Sequence, residues 1–152
     1  LDEFLNMYAT QITETRAGLF NDIDLVLAAL HDNAMPWGIM TNKSRRFSVP
    51  LLARFESFTT CATLVCPDDV GKGKPDPAGL LRACEHMNVL PANCMYIGDH
   101  PRDIEAATAA GMPAIAAGWG YLPADNPIEN WGAIAVARTV RDLLSQLALQ
   151  EN

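Results

Sequence analysis

Ten residues, Cys94 to Asp103, constrain this chain more than any others. Cys94-Met95-Tyr96-Ile97 is a short apolar run, the pattern of a buried strand in a parallel sheet. Pro101 suits the first turn of a following helix, in which Ile104, Ala107 and Ala110 share one face before Gly111 stops it. Asp99 therefore ends a strand, and Asp103 sits four residues on in the helix's first turn. Both point to the crevice at the strand's carboxyl end, where open α/β sheets hold their ligands. Two readings stand for the pair. As hard oxygen donors they suit Mg²⁺; as a helix cap and a dipole-stabilising acid they need no ligand.

Two upstream segments have the form that completes a phosphate site. Trp37-Gly38-Ile39-Met40 is a second apolar run, ending in Thr41-Asn42-Lys43-Ser44. A hydroxyl and an amide between a strand and a helix can hold phosphate oxygens together with helix N–H groups, although Thr and Asn are also ordinary turn and cap residues. In Gly71-Lys72-Gly73-Lys74-Pro75-Asp76-Pro77, Pro75 keeps Lys74 extended, Asp76 is placed to cap a helix and Pro77 to begin it. Leu80, Leu81, Cys84 and Met87 form that helix's expected buried stripe. Lys74 is thus fixed just before a helix, able to project its ammonium towards an anion, whereas Lys72 reads as a solvated loop lysine. The spacing excludes a nucleotide P-loop, because no Ser or Thr follows Lys74.

In order, Thr41-Asn42, Lys74-Pro75-Asp76-Pro77, and Gly98-Asp99 with Asp103 resemble three successive motifs of the haloacid dehalogenase superfamily, in particular its phosphatase branch that includes phosphoglycolate phosphatase. The resemblance spans nearly the whole chain. It implies a Rossmann-like, three-layer α/β core with a parallel sheet. Thr41, Asn42 and Lys74 would bind the phosphoryl group, with Thr41 and Lys74 in catalytic roles. Asp99 would ligate Mg²⁺, and Asp103 would support the metal or its waters. Within that branch, Cys66-Pro67-Asp68-Asp69-Val70 and Asn126-Pro127 leading to Asn130-Trp131-Gly132-Ala133 resemble the N-acetylmuramate 6-phosphate phosphatases. Sugar-phosphate mutases and dehalogenases share the fold, and a non-catalytic phosphate- or metal-binding module is the alternative outside enzymes.

One departure from the family pattern stands out. Its chemistry starts from Asp-x-Asp-x-Thr/Val on the first strand, where the first Asp attacks phosphorus. The similar string here, Asp22-Ile23-Asp24-Leu25-Val26, falls where Ile23, Val26, Leu27 and Leu30 recur at helical spacing, with Asn21 or Asp22 as a cap. A helix turns those two carboxylates away from any shared crevice, so the nucleophile and the first strand are expected to precede Leu1. Phe4, Leu5, Tyr8 and Ile12 read as one helix face. By the same resemblance, residues 1–16 are expected to be the last helix of a helical cap, and residues 17–152 a hydrolase core lacking its first strand.

Composition narrows the partners. Eleven basic against 18 acidic residues give a net charge of -7, which argues against nonspecific binding to nucleic acid and anionic membranes; a small phosphorylated metabolite is the partner the resemblance implies. No apolar run is long enough to span a bilayer. Cys61, Cys66, Cys84 and Cys94 lack zinc or CxxC spacing, and thiols in predicted strands and apolar helix faces fit a reducing, cytoplasmic setting. His100 reads either as a substrate contact or as a helix-start surface residue. The remainder predicts scaffold: a helix over 45–55 despite Pro50, strands over 61–66, 113–117 and 134–136, and a closing helix over 140–149. Trp119, Trp131 and Tyr121 are expected to pack under loops or to line a pocket.

Overall fold

The computed structural model describes residues 18–120 and 122–149. The expected cap helix over 1–16 and Tyr121 lie outside the described residues. Short parallel strands alternate with helices: α1 (Ile23–Asp32), β1 (Gly38–Met40), α2 (Arg45–Leu52), β2 (Thr63–Val65), α3 (Pro67–Val70), α4 (Ala78–Met87), β3 (Tyr96–Gly98), α5 (Pro101–Ala109), β4 (Ala114–Ala117), β5 (Ala135–Ala137) and α6 (Asp142–Gln146). Single-turn 3₁₀ segments fill several of the connections.

Alternation along β4 divides the core into two layers. Ala114 and Ala116 pack with Leu80 and Cys84 of α4 and with Ile104 and Ala107 of α5. Ile115 packs on the other face with Val26 and Leu30 of α1 and with Leu143 and Leu144 of α6. This is the expected helix–sheet–helix architecture. Asp22-Ile23-Asp24 is helical, as its periodicity predicts: α1 begins at Ile23, and Asp22 gives its N-cap no side-chain bond because its carboxylate meets Arg141 at 3.1 Å.

Three details differ from the sequence expectation. Leu81 is 38% exposed, because the buried line of α4 runs through Leu80 and Cys84 and leaves its neighbour facing outward. The helix expected over 45–55 stops at Leu52, and a 3₁₀ segment (Glu56–Thr60) follows. The closing helix covers only Asp142–Gln146; past it, Ala148 takes a left-handed φ of 54° that an α-helix cannot continue through.

The sheet is in two parts, β1–β2 and β3–β4–β5, each with parallel pairing. The carbonyl of Trp37 accepts from Ala62 N–H, and Thr41 N–H donates to the Val65 carbonyl. Alternation therefore turns the N–H and C=O of Gly38 and Met40 to the far edge of β1. On β3, Tyr96 N–H donates to the Pro113 carbonyl, so Met95 and Ile97 present theirs away from β4. Around these open edges lies an apolar cavity of about 450 Å³, lined by Leu30, Ile39, Met40, Ile97, Trp119 and Leu143 among others. A second, more open cavity near Leu19–Asp24 and Arg54–Ser57 contains none of the expected site residues.

Candidate active site

The site forms where β1 and β3 end. α3 ends at Gly71 in a left-handed conformation (φ 75°), and the chain then crosses towards the end of β1. There Asn42 clamps the Lys74 main chain from both sides. Its Oδ1 accepts from Lys74 N–H at 2.7 Å, and its Nδ2 donates to the Lys74 carbonyl at 3.0 Å. The Lys74–Pro75 peptide is cis. α4 begins at Ala78 with Pro77 as its N-cap, one residue later than the sequence expectation of Asp76 as cap and Pro77 as first residue; Asp76 Oδ1 still accepts from Ala78 N–H at 2.9 Å. Lys72 is 64% exposed and pairs with Asp76 at the surface, as its loop reading predicts.

The Lys74 side chain is only 11% exposed. Its ammonium meets three protein acceptors: Asp103 Oδ1 at 2.7 Å, the Tyr96 hydroxyl at 2.8 Å and the Met40 carbonyl at 3.3 Å. An ammonium has three N–H groups, so all of its donors are matched. Burial pulls the Lys74 pKa down, but the neighbouring Tyr96 and Asp103 outweigh it and hold the group above its ordinary value. Burial pushes the Tyr96 phenol up, only partly offset by Lys74. The lysine is therefore a cation fixed at the end of the cavity between β1 and β3.

Asp103, 6% exposed, is equally committed. Oδ1 takes Lys74, and Oδ2 accepts from the N–H groups of Asp99 and His100, each at 3.1 Å. It thus closes a capping box on α5 with His100, whose Nδ1 accepts from Arg102 N–H. Gly98 is required here, because a Cβ would strike the Asp103 side chain. Asp99 is different: no donor among the described residues bonds its carboxylate, and Gly120 lies against it so closely that a Cβ would collide. A carboxylate left free, next to a second one and walled by a glycine, fits a hard cation that keeps most of its waters. Among the described residues no group of three or more potential ligands gathers, so such an ion would be held by Asp99 with support from Asp103 and water. Thr41 follows β1, its Oγ1 accepting from Lys43 N–H at 3.1 Å in an ordinary hydroxyl turn.

Residues 1–117 match the family model of haloacid dehalogenase-like hydrolases. The chain belongs to this family. It is 37% identical over 146 residues to an N-acetylmuramic acid 6-phosphate phosphatase of Pseudomonas aeruginosa, covering 95% of this chain and 64% of that protein. To a phosphoglycolate phosphatase of Xanthomonas campestris pv. campestris it is 38% identical over 131 residues, 86% of this chain and 59% of that one. The chain thus spans roughly three-fifths of the length of these curated relatives. Among solved structures, a predicted phosphoglycolate phosphatase of Haemophilus somnus 129PT superposes with a TM-score of 0.86 at 21% identity, covering 95% of this chain and 64% of that one. A hydrolase of the same family from Deinococcus radiodurans R1, solved with phosphate and sodium, gives 0.81 at 23% identity, covering 97% and 66%. At these identities the structures speak for the fold.

Within this family fold, Thr41, Asn42, Lys74, Asp99 and Asp103 all come to one crevice. Their tasks divide more finely than their order along the chain indicates. Asn42, expected on phosphate, has its amide engaged by the Lys74 main chain. His100 begins α5 and sits at the rim. Trp131 packs beneath a loop, its Nε1 donating to the Asn126 carbonyl at 3.0 Å, while Trp119 lines the cavity. Tyr96 is the residue that sequence reasoning missed. It stood only as one of four apolar strand residues, yet a phenol inside a buried strand needs a partner for its hydroxyl, and that need was the available signal.

Proposed function

We propose that this chain supplies the phosphoryl- and metal-binding part of a Mg²⁺-dependent phosphomonoesterase acting on a small phosphorylated metabolite. N-acetylmuramate 6-phosphate and phosphoglycolate are the substrate types its relatives' names favour. One observation carries the reading: a buried Lys74 ammonium paired with Asp103, four residues on from Asp99, whose carboxylate no donor among the described residues bonds. Thr41 and Lys74 bind phosphoryl oxygens, Asn42 keeps Lys74 in register with the end of β1, and Asp103 orients Lys74. Asp99 holds the cation, which when bound offsets charge on the phosphoryl oxygens. The attacking carboxylate of the family's aspartyl-phosphate chemistry comes, in this reading, from a strand seated between β1 and β3, supplied by residues that precede Leu1 in the natural protein. The net charge of -7 supports a metabolite rather than nucleic acid or an anionic membrane as partner. No helix among the described residues is long and apolar enough to cross a membrane, and four free thiols support a cytoplasmic setting.

Hydrolysis of p-nitrophenyl phosphate tests this reading. The natural full-length protein is expected to turn it over only with Mg²⁺, and the 152-residue chain not at all. Mg²⁺-dependent turnover by the 152-residue chain, abolished by Asp22→Asn, would overturn the assignment of the nucleophile.

A further inference from the structure

We infer that Tyr96 is the positioning residue for Lys74, an inference that rests on the phosphomonoesterase reading. Tyr96 opens β3, three residues before Asp99, and its ring packs against the core between the sheet and α4. Its hydroxyl lies 2.8 Å from Lys74 Nζ and 3.4 Å from the Met40 carbonyl, and the ammonium also lies 5.5 Å from its ring centroid. A phenol has one proton to give and lone pairs to receive. The consistent arrangement is Lys74 N–H donating to Tyr96, and Tyr96 O–H donating to Met40.

That chain crosses a boundary that no strand pairing among the described residues crosses. Met40 ends one sheet part and Tyr96 begins a strand of the other. The Lys74 main chain is tied to the first part through Asn42, and its ammonium to the second through Asp103. Tyr96 is the neutral group that fixes the ammonium relative to both. It also keeps the Met40 carbonyl supplied with a donor whenever Lys74 turns one N–H towards a phosphoryl oxygen. Asp103 is not the ligand Lys74 gives up, because it is the charged partner and the shortest contact. The exchange therefore takes place on the Tyr96–Met40 side, and the tyrosine hydroxyl sets where the ammonium stands when the oxyanion develops.

Tyr96→Phe removes the hydroxyl and leaves the ring. In the natural full-length protein with Mg²⁺, kcat should fall about tenfold, close to 1.4 kcal/mol of transition-state stabilisation, while KM stays within twofold. A second readout needs no turnover: acylation of lysines by an amine-reactive ester in metal-free protein, followed by mass spectrometry. Lys74 should label several-fold faster in the variant relative to exposed Lys72, with alkylation of Cys66, which is 0% exposed, unchanged. A kcat within twofold of wild type, unchanged Lys74 labelling, or faster Cys66 alkylation alongside it would each overturn the inference. The reading beneath it has its own control. Lys74→Ala should lower turnover roughly 100-fold or more, and a Lys74→Ala protein of near-wild-type rate would defeat the phosphatase site itself.

Discussion

Lys74 and Asp99 carry opposite charges to the same crevice, and their loss should be distinguishable. Asp99→Asn weakens the hold on the cation, so activity of the natural full-length protein should fall at limiting Mg²⁺ and partly return at high Mg²⁺. In the proposed site Lys74→Ala removes a donor for phosphoryl oxygens that added metal does not replace; the loss should be roughly 100-fold or more with no rescue. Steady-state rates across a Mg²⁺ series check both, and equal rescue of the two variants would contradict their separate roles. At this scale the sequence was informative about which residues meet. Thr41, Asn42, Lys74 and Asp99 lie between elements whose ends the pattern marks, Asp103 lies in the first turn of α5, and a parallel sheet gathers such ends by geometry. Their hydrogen bonds were not legible. Whether Asn42 faces a ligand or the Lys74 main chain depends on a loop that returns across 32 residues, and no local pattern encodes that return.

Two clamps between elements hold the crevice in shape. Asn42 joins the end of β1 to the loop before α4, and Arg45 joins the start of α2 to α3. Arg45 pairs with Asp69 through Nε at 2.9 Å and Nη2 at 2.5 Å, and Nη2 also donates to the Leu64 carbonyl at 2.8 Å. The guanidinium, helped by Cys66 N–H, holds the Asp69 carboxyl below its ordinary value of 3.8. A depressed carboxylate contributes stability that is complete above the unfolded value and lost as pH falls through the folded one. Asp69→Ala should therefore cost about 1 kcal/mol at neutral pH, and the gap between wild type and variant should close as pH falls below the carboxyl's ordinary value of 3.8 and through its depressed folded value. Thermal midpoints measured across the acid range check this; a gap that persists in acid would contradict it. Asn42→Ala should slow turnover about tenfold with a smaller effect on stability, since it frees the Lys74 loop without opening the core. Helix boundaries were the least legible feature here. Apolar spacing marked the cores of α4 and α5, while past the ends of α2 and α6 the backbone leaves helical geometry at Phe55, which is extended, and at Ala148, which is left-handed.

Among the described residues the molecule is an α/β core whose sheet is in two parts, separated between β1 and β3. The open edges of β1 and β3 present the backbone groups of Gly38, Met40, Met95 and Ile97 around an apolar cavity of about 450 Å³. The order of motifs made the fold legible, and the helical spacing over Ile23 to Leu30 made it legible that no Asp-x-Asp strand lies there. The division of the sheet followed only from placing those strands side by side. In the proposed function a strand fills this gap and completes the site. Amide hydrogen exchange, followed residue by residue in the 152-residue chain and in the natural full-length protein, tests it most directly. The amides of Gly38, Met40, Met95 and Ile97 should exchange rapidly in the chain alone and become strongly protected in the full-length protein, while Ile115 and Ala116 in β4 are protected in both. Equal exchange of those four amides in the two proteins would show that no strand enters between β1 and β3, and the account would fail.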